Sequence, residues 1–155
     1  FKNSFKWIKN KSLVLTDDYE YVGKNYHKYK SCISKCNTVN DTTVIKYVLL
    51  QPNSDPVMMS VLHKQPIAVS IDASTIDFYL YSSGIFTASC GINLNHAVNI
   101  VGYGSNKNGD YYIIRNSWGN SWGDNGYMYL SRDKKYNDGS GQCGILLEGA
   151  FPILN

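Results

Sequence analysis

Residues 95–127 read NHAVNIVGYGSNKNGDYYIIRNSWGNSWGDNGY, and this stretch decides how the chain is interpreted. It contains two apolar, β-branched runs, at 97–101 and 111–114, separated by turn-forming residues at 105–110. This pattern is typical of two antiparallel strands joined as a hairpin. His96 opens the first run and Asn116 closes the second. We therefore expect the hairpin to bring these two side chains together at one end.

A histidine beside an asparagine amide has a chemical meaning. The amide oxygen can accept a hydrogen bond from one imidazole nitrogen, which fixes the ring and its tautomer, while the other nitrogen serves a nucleophile. Each residue type taken alone more often serves packing, so the prediction depends on the surrounding motif. His96 and Asn116 are thus candidates for two of the three members of a catalytic triad.

The segments LNHAVNIVGYG (94–104) and YYIIRNSWGNSWGDNGY (111–127) resemble the histidine and asparagine motifs of the papain-like cysteine peptidases. The two motifs occur in the expected order, and the Trp-Gly pairs are in register. The resemblance implies that His96 is the general base and that Asn116 orients it. It also implies that Trp118 shelters their hydrogen bond from water and that Trp122 lines the leaving-group side of the cleft.

The nucleophile is not evident in the chain. The cysteines are Cys32, Cys36, Cys90 and Cys143, and none has the family's C-G-[SA]-C-[WY] context, which is expected about 130–150 residues before the histidine. We therefore expect the catalytic cysteine on a segment preceding Phe1. On this interpretation the chain is the C-terminal portion of a peptidase, is inactive by itself, and exposes apolar surface that promotes aggregation when isolated.

The predicted fold class is α+β. The residue pattern predicts helices at 2–11 and 54–64, strands at 42–50, 66–72 and 127–130, a short turn at 74–81 and a polar loop at 133–141. The resemblance implies mainly the antiparallel β-barrel-like, histidine-bearing domain of a papain-like fold. Residues 1–155 would form one partial peptidase domain, in which 1–40 are a remnant of the helical domain and its crossing loop and 41–155 are the β-rich domain.

The function implied by the resemblance is that of a cysteine-type endopeptidase acting through a thioacyl intermediate. Two alternatives stay open: a catalytically inactive homologue used for binding, and a variant with a serine nucleophile on the same scaffold. The implied partners are protein or peptide substrates, the enzyme's own propeptide and cystatin-type inhibitors. No metal or organic cofactor is implied.

The resemblance further implies a disulfide between Cys90 and Cys143. It implies that Cys32 pairs with a cysteine of the preceding segment, whereas Cys36 has no counterpart. The fifth residue after the second disulfide cysteine is Glu148, which would lie at the floor of the S2 substrate pocket. The other predicted residues of that pocket are Ser70, Leu94 and Asn95. The alternative is that Glu148 points to solvent and the pocket is simply hydrophobic.

Composition sets limits on other functions. The 155 residues carry a net charge of +3, and the early lysines are spaced as on a solvated face, so nucleic-acid binding is not expected. No apolar run approaches the length of a membrane span. Four cysteines favour an oxidising compartment. The resemblance implies a lysosome, vacuole or secreted location. Sequons at Asn10 and Asn40 add weakly to this, and zinc is not expected because no second Cys/His pair accompanies Cys32 and Cys36.

Overall fold

The computed structural model describes residues 1–21 and 36–155, so Cys32 lies outside the described residues. The described chain forms two compact units, Phe1–Val48 with Pro152–Asn155, and Leu49–Phe151. The helices are α1 (Lys2–Ile8), α2 (Asp55–Leu62) and α3 (Ile76–Tyr79). The strands are β1 (Val44–Leu49), β2 (Ile67–Ile71), β3 (Ile85–Phe86), β4 (His96–Asn106), β5 (Gly109–Arg115), β6 (Tyr127–Ser131) and β7 (Gly149–Leu154).

The first unit contains α1 and most of β1. The helix ends earlier than residue 11, because Asn10 takes a left-handed conformation (φ 62°) and its backbone N–H donates to the Val44 carbonyl at 2.7 Å. The Phe5 ring stacks on Tyr47 of β1 with centroids 5.6 Å apart. This contact anchors the helix on the strand.

The second unit contains an open, mixed sheet in the order β7-β2-β4-β5-β6-β3. The pairs β2–β7, β2–β4, β4–β5 and β5–β6 are antiparallel, whereas β3 runs parallel to β6. Strand β2 shows why the sheet is stable, since Ile67, Val69 and Ile71 alternate inward and are fully buried. The α+β prediction is confirmed.

The predicted hairpin at the centre of the sheet is formed by β4 and β5. Its turn is tighter than residues 105–110, because Asn106 pairs with Gly109 across the two-residue turn and the Asn106 side chain accepts a hydrogen bond from the Asn108 N–H at 2.8 Å. An asparagine that bonds the backbone two residues ahead is a standard turn former. The strands are correspondingly longer than predicted.

Two segments predicted as turn or loop contain helical turns. Residues 76–79 form α3, whose first turn is capped by the Thr75 hydroxyl accepting from the Phe78 N–H at 3.3 Å. The polar loop after β6 contains short 3₁₀ turns at Tyr136–Gly139 and Gln142–Gly144. Helix α3 matters for the site, because it places the fully buried Phe78 beneath the aromatic cluster described below.

An ion-pair network lies on the part of the second unit near the hairpin turn. The Arg132 guanidinium donates to both carboxylate oxygens of Asp55, at 3.1 and 3.2 Å, and the Tyr112 hydroxyl also donates to Asp55. Burial opposes the charge of Asp55, but the bonds from Arg132 and Tyr112 lower its pKa. Together with Leu146 these residues line a cavity of about 200 Å³, which is separate from the His96 site. We assign this network a structural role.

Candidate active site

The structure brings His96 and Asn116 together. His96 is the first residue of β4, and Asn116 follows the last residue of its antiparallel neighbour β5. The backbone N–H of Asn116 donates to the Gly126 carbonyl at 2.9 Å, which closes the loop that begins after β5. The His96 Nε2 atom lies 2.9 Å from the Asn116 Oδ1 atom. The contact expected from the hairpin pattern is therefore present.

The hydrogen bonds identify the tautomer of His96. The backbone N–H of Ser117 donates to Asn116 Oδ1 at 2.7 Å, so this atom is an acceptor and must be the amide oxygen. An oxygen can bond Nε2 only if Nε2 carries the proton. The Nδ1 atom of the neutral ring then holds the lone pair, and within residues 1–21 and 36–155 it has no hydrogen-bond partner. The ring is thus prepared to accept a proton at Nδ1.

Aromatic rings enclose the His96–Asn116 contact. The Trp118 ring lies 4.9 Å from the imidazole, centroid to centroid, and Phe78 lies edge-on to the imidazole at 6.5 Å. Trp122 packs on Phe78 and donates its indole N–H to the Tyr79 carbonyl at 3.0 Å. Asn116 is only 9% exposed, so its bond to the imidazole is largely excluded from water. Burial of this kind strengthens a hydrogen bond.

The loop from Ser117 to Gly126 depends on one glycine in particular. Gly123 has a φ of 59°, and a Cβ at this position would lie 2.5 Å from the Tyr127 carbonyl oxygen. No other residue fits such a close backbone approach without a shift of the loop. The two residues of the second Trp-Gly pair therefore have different roles. Trp122 packs the loop against the core, and Gly123 allows the backbone conformation of the turn.

Of the residues predicted for the S2 pocket, Ser70 and Glu148 contact each other, whereas Asn95 has other partners. The Ser70 hydroxyl donates to the Glu148 carboxylate at 2.5 Å, and the Ser70 backbone N–H donates to the Glu148 carbonyl at 3.2 Å. Leu94 lies close to Gly144, where an added Cβ would be 3.1 Å from Leu94 Cδ2. The side chain of Asn95 instead bonds Asp72 and the Ala73 backbone. Glu148 is exposed to solvent.

Sequence reasoning missed Asp72, a buried carboxylate on the chain segment facing the His96 loop. Burial opposes its charge, but hydrogen bonds from the Ser74 hydroxyl, from the backbone N–H groups of Ser74 and Asn93 and from the Asn95 amide lower its pKa. Because the folded-state pKa is depressed, the ionised carboxylate stabilises the fold above the ordinary pKa, and this contribution is lost as the pH falls through the lowered value. No local motif marks such a residue.

The cysteines are accounted for as far as the structure describes them. The Cys90–Cys143 disulfide implied by the resemblance is present, with α-carbons 5.0 Å apart. It ties the segment before His96 to the segment before Glu148, across 53 residues of sequence. Cys36 is a free thiol in the first unit. The described part of the chain contains no cluster of three or more His, Cys, Asp or Glu side chains that could hold a metal.

Comparison with known proteins gives a consistent result. A family model described as "Papain family cysteine protease" matches residues 1–153. The chain is 36% identical to the KDEL-tailed cysteine endopeptidase CEP2 of Arabidopsis thaliana, over 97% of this chain and 40% of that protein. It is also 36% identical to the senescence-specific cysteine protease SAG12 of Arabidopsis thaliana, over 97% of this chain and 42% of that protein. The chain thus spans about two fifths of the length of these relatives.

Solved structures agree with the sequence relatives. The bromelain protease from Ananas comosus, in complex with the E64 inhibitor, matches with a TM-score of 0.80 and 36% identity, over 98% of this chain and 68% of that one. The Carica candamarcensis cysteine protease CMS1MS2, in complex with E-64, matches with a TM-score of 0.85 and 29% identity, over 98% and 67% of the two chains. No helix among the described residues is both long and apolar enough to cross a membrane.

Proposed function

Because the chain belongs to the papain family of cysteine proteases, we propose that it supplies the histidine and asparagine of a cysteine endopeptidase site. The observation that carries this proposal is the 2.9 Å contact between His96 Nε2 and Asn116 Oδ1, which leaves Nδ1 with a lone pair. Such a ring can take the proton of a thiol and later return it to a leaving group. The flanking Trp118 and Trp122 would then be support residues that exclude water.

The proposed reaction is amide hydrolysis in two stages. His96 Nδ1 takes the proton of the thiol, and the thiolate attacks the substrate carbonyl carbon. When the tetrahedral intermediate collapses, the C–N bond breaks and the imidazolium gives its proton to the leaving amine, which leaves a thioester. Water, deprotonated by His96, then attacks the thioester carbonyl, and the C–S bond breaks to release the acid. Asn116 holds the ring plane throughout.

We further propose that the nucleophile is a cysteine outside the printed sequence. Cys90 and Cys143 form a disulfide, and neither Cys32 nor Cys36 has the nucleophile motif of the family. The chain without that cysteine would not hydrolyse peptides. We retain as part of the proposal that 1–40 belong to the helical domain with its crossing loop and 41–155 to the β-rich domain.

The full-length protein should hydrolyse a fluorogenic peptide amide, and iodoacetamide should abolish this activity because it alkylates the thiolate. The matched control is phenylmethylsulfonyl fluoride followed by excess dithiothreitol, which reverses any reaction with a thiol but not with a serine, and it should leave the rate unchanged. Inhibition by the serine reagent alone would show a serine nucleophile. Absence of hydrolysis, with retained peptide binding, would show an inactive homologue.

Substrate preference is proposed to depend on Glu148. Its carboxylate is exposed and bonded to the Ser70 hydroxyl, a partner that a substrate guanidinium can replace with a charge-assisted, bidentate pair. Glu148→Ala in the full-length enzyme should lower kcat/KM for substrates with Arg at P2 by about tenfold or more, or about 1.4 kcal/mol. Substrates with Leu at P2 should be nearly unaffected.

The control for this experiment is Glu20→Ala, which removes the same charge from an exposed position in the first unit. It should change neither substrate's rate. Equal losses on Arg and Leu substrates in Glu148→Ala would mean that Glu148 supports the fold instead of reading the substrate.

Location and partners follow from the same proposal. The disulfide favours an oxidising compartment, so we propose a lysosome, vacuole or secreted location. Protein or peptide substrates, the enzyme's own propeptide and cystatin-type inhibitors are the proposed partners.

A further inference from the structure

We propose that Asp72 is a positioning residue of the peptidase site, which holds the 91–95 segment so that His96 meets Asn116 with the correct ring orientation. This inference rests on the proposed function. Asp72 is 4% exposed and follows β2, whose last residue Ile71 is paired with His96. It touches no substrate in this proposal and acts only through the chain segments bonded to it.

The carboxylate of Asp72 accepts hydrogen bonds from the segment that leads into His96. Its Oδ2 atom accepts the backbone N–H of Asn93 at 3.1 Å, and its Oδ1 atom accepts the side-chain amide of Asn95 at 3.2 Å. The Asn95 backbone N–H donates to the Ile71 carbonyl at 3.0 Å. The residue immediately before His96 is therefore held by both its backbone and its side chain.

The same carboxylate accepts hydrogen bonds from the segment that leads into α3. Its Oδ1 atom accepts the Ser74 backbone N–H at 3.0 Å and the Ser74 hydroxyl at 2.5 Å. The Asn95 amide oxygen in turn accepts the Ala73 N–H at 3.0 Å. Helix α3 carries Phe78, which packs on both the imidazole and Trp118. Asp72 therefore links the segment before His96 to the helix that packs against the imidazole.

Two features show that neighbouring backbone packs tightly around Asp72. A Cβ on Gly91 would lie 2.7 Å from Asp72 Oδ2, so the loop reaches the carboxylate only because this residue has no side chain. The Asp72 backbone N–H donates to the carbonyl of Cys143 at 2.9 Å, which links it to the disulfide. All four groups bonded to the Asp72 carboxylate act as hydrogen-bond donors. The side chain at position 72 must therefore offer acceptors only, as an ionised carboxylate does.

Substitution by asparagine tests this requirement with little change of shape. An amide can place its oxygen toward the three donors at Oδ1, but its NH₂ group must then face the N–H of Asn93. Two donors cannot bond each other, so the part-buried bond from the Asn93 N–H is lost. Asp72→Asn should therefore release the segment before His96 at Asn93, while the Ser74 and Asn95 contacts remain.

The experiment uses the full-length protein with Asp72→Asn, and Asp77→Asn as the matched control, because Asp77 is exposed on the adjacent helix. Asp72→Asn should lower kcat tenfold or more with KM within twofold of wild type, since ring placement and not substrate binding is affected. By NMR, the His96 Nε2–H resonance should broaden or vanish and the Asn93 amide should exchange at least tenfold faster. Asp77→Asn should change neither.

If Asp72→Asn fails to fold, Asn95→Ala tests the same proposal. Asn95 is exposed, and the change removes the hydrogen bond from its side chain to Asp72. It should lower kcat severalfold and broaden the same His96 resonance. A raised KM with unchanged kcat and an unchanged resonance would overturn the proposal. The NMR readouts need no activity, so an inactive wild-type protein would refute the proposed function while Asp72 could still be judged.

Discussion

Replacing His96 by alanine should lower kcat/KM of the full-length enzyme by about 10⁴-fold or more. In the proposed reaction the substitution removes the group that takes the thiol proton and protonates the leaving amine, so both chemical stages fail together. Losses of this size are typical when the base of a nucleophile–base pair is deleted. The measurement is steady-state hydrolysis of a fluorogenic peptide amide.

His63→Ala is the matched control for this variant. His63 is an exposed histidine after α2. Among the described residues its ring bonds the Tyr103 hydroxyl at 2.7 Å and does not contact Asn116. It should retain wild-type kcat/KM. Activity of His96→Ala within tenfold of wild type would refute the role of His96, whatever the outcome for His63→Ala.

Replacing Asn116 by alanine should lower kcat/KM by about 5- to 150-fold. The change removes the acceptor of the imidazole Nε2–H and leaves the Ser117 N–H without its partner. Losing such a buried bond costs about 1–3 kcal/mol, and the same cost in transition-state energy gives this range of rates. The loss should appear mainly in kcat, because the ring is then free to turn away from the thiol.

The control for Asn116→Ala is Asn99→Ala, which changes an exposed asparagine on β4 three positions after His96. Its rate should equal that of wild type. Stability should be measured on both variants, since a large fall in melting temperature with unchanged kcat would assign Asn116 to the fold instead of the reaction.

The hairpin and its two polar residues could be predicted because their signals are local. An apolar, β-branched run, a turn-forming cluster and a second such run indicate which ends of β4 and β5 meet, and this places His96 near Asn116. The extent of the turn was less predictable. It depends on the Asn106 side chain accepting from the Asn108 backbone, a choice that the composition of the segment does not specify.

Helix α3 and Asp72 could not be predicted because their roles depend on contacts distant in sequence. The segment at 74–81 is short and lacks a helical period, and its helix depends on the Thr75 cap and on Phe78 packing against Trp118 and Trp122. The buried carboxylate of Asp72 is satisfied by donors from residues 74, 93 and 95, two of which lie more than 20 positions away in sequence. A lone carboxylate after a strand carries no sign of those partners.

Glu148 lies between these cases. The family resemblance, with a count from Cys143, implied a place beside Ser70, and the two side chains are hydrogen-bonded. Whether the carboxylate faced solvent could not be predicted, because Glu148 follows an irregular loop at residues 137–144 and not a regular strand or helix. That loop holds left-handed residues at Asn137, Asp138 and Cys143, which sequence patterns do not resolve.

The role of His96 is tested most directly by identifying the thiol that it activates. The full-length protein is treated with limiting iodoacetamide at neutral pH until activity is lost, and the alkylated cysteine is located by peptide mass spectrometry. We expect one rapidly modified cysteine that is none of Cys32, Cys36, Cys90 and Cys143, and slow modification of that same residue in His96→Ala. Loss of activity through alkylation of any of those four cysteines would contradict this expectation.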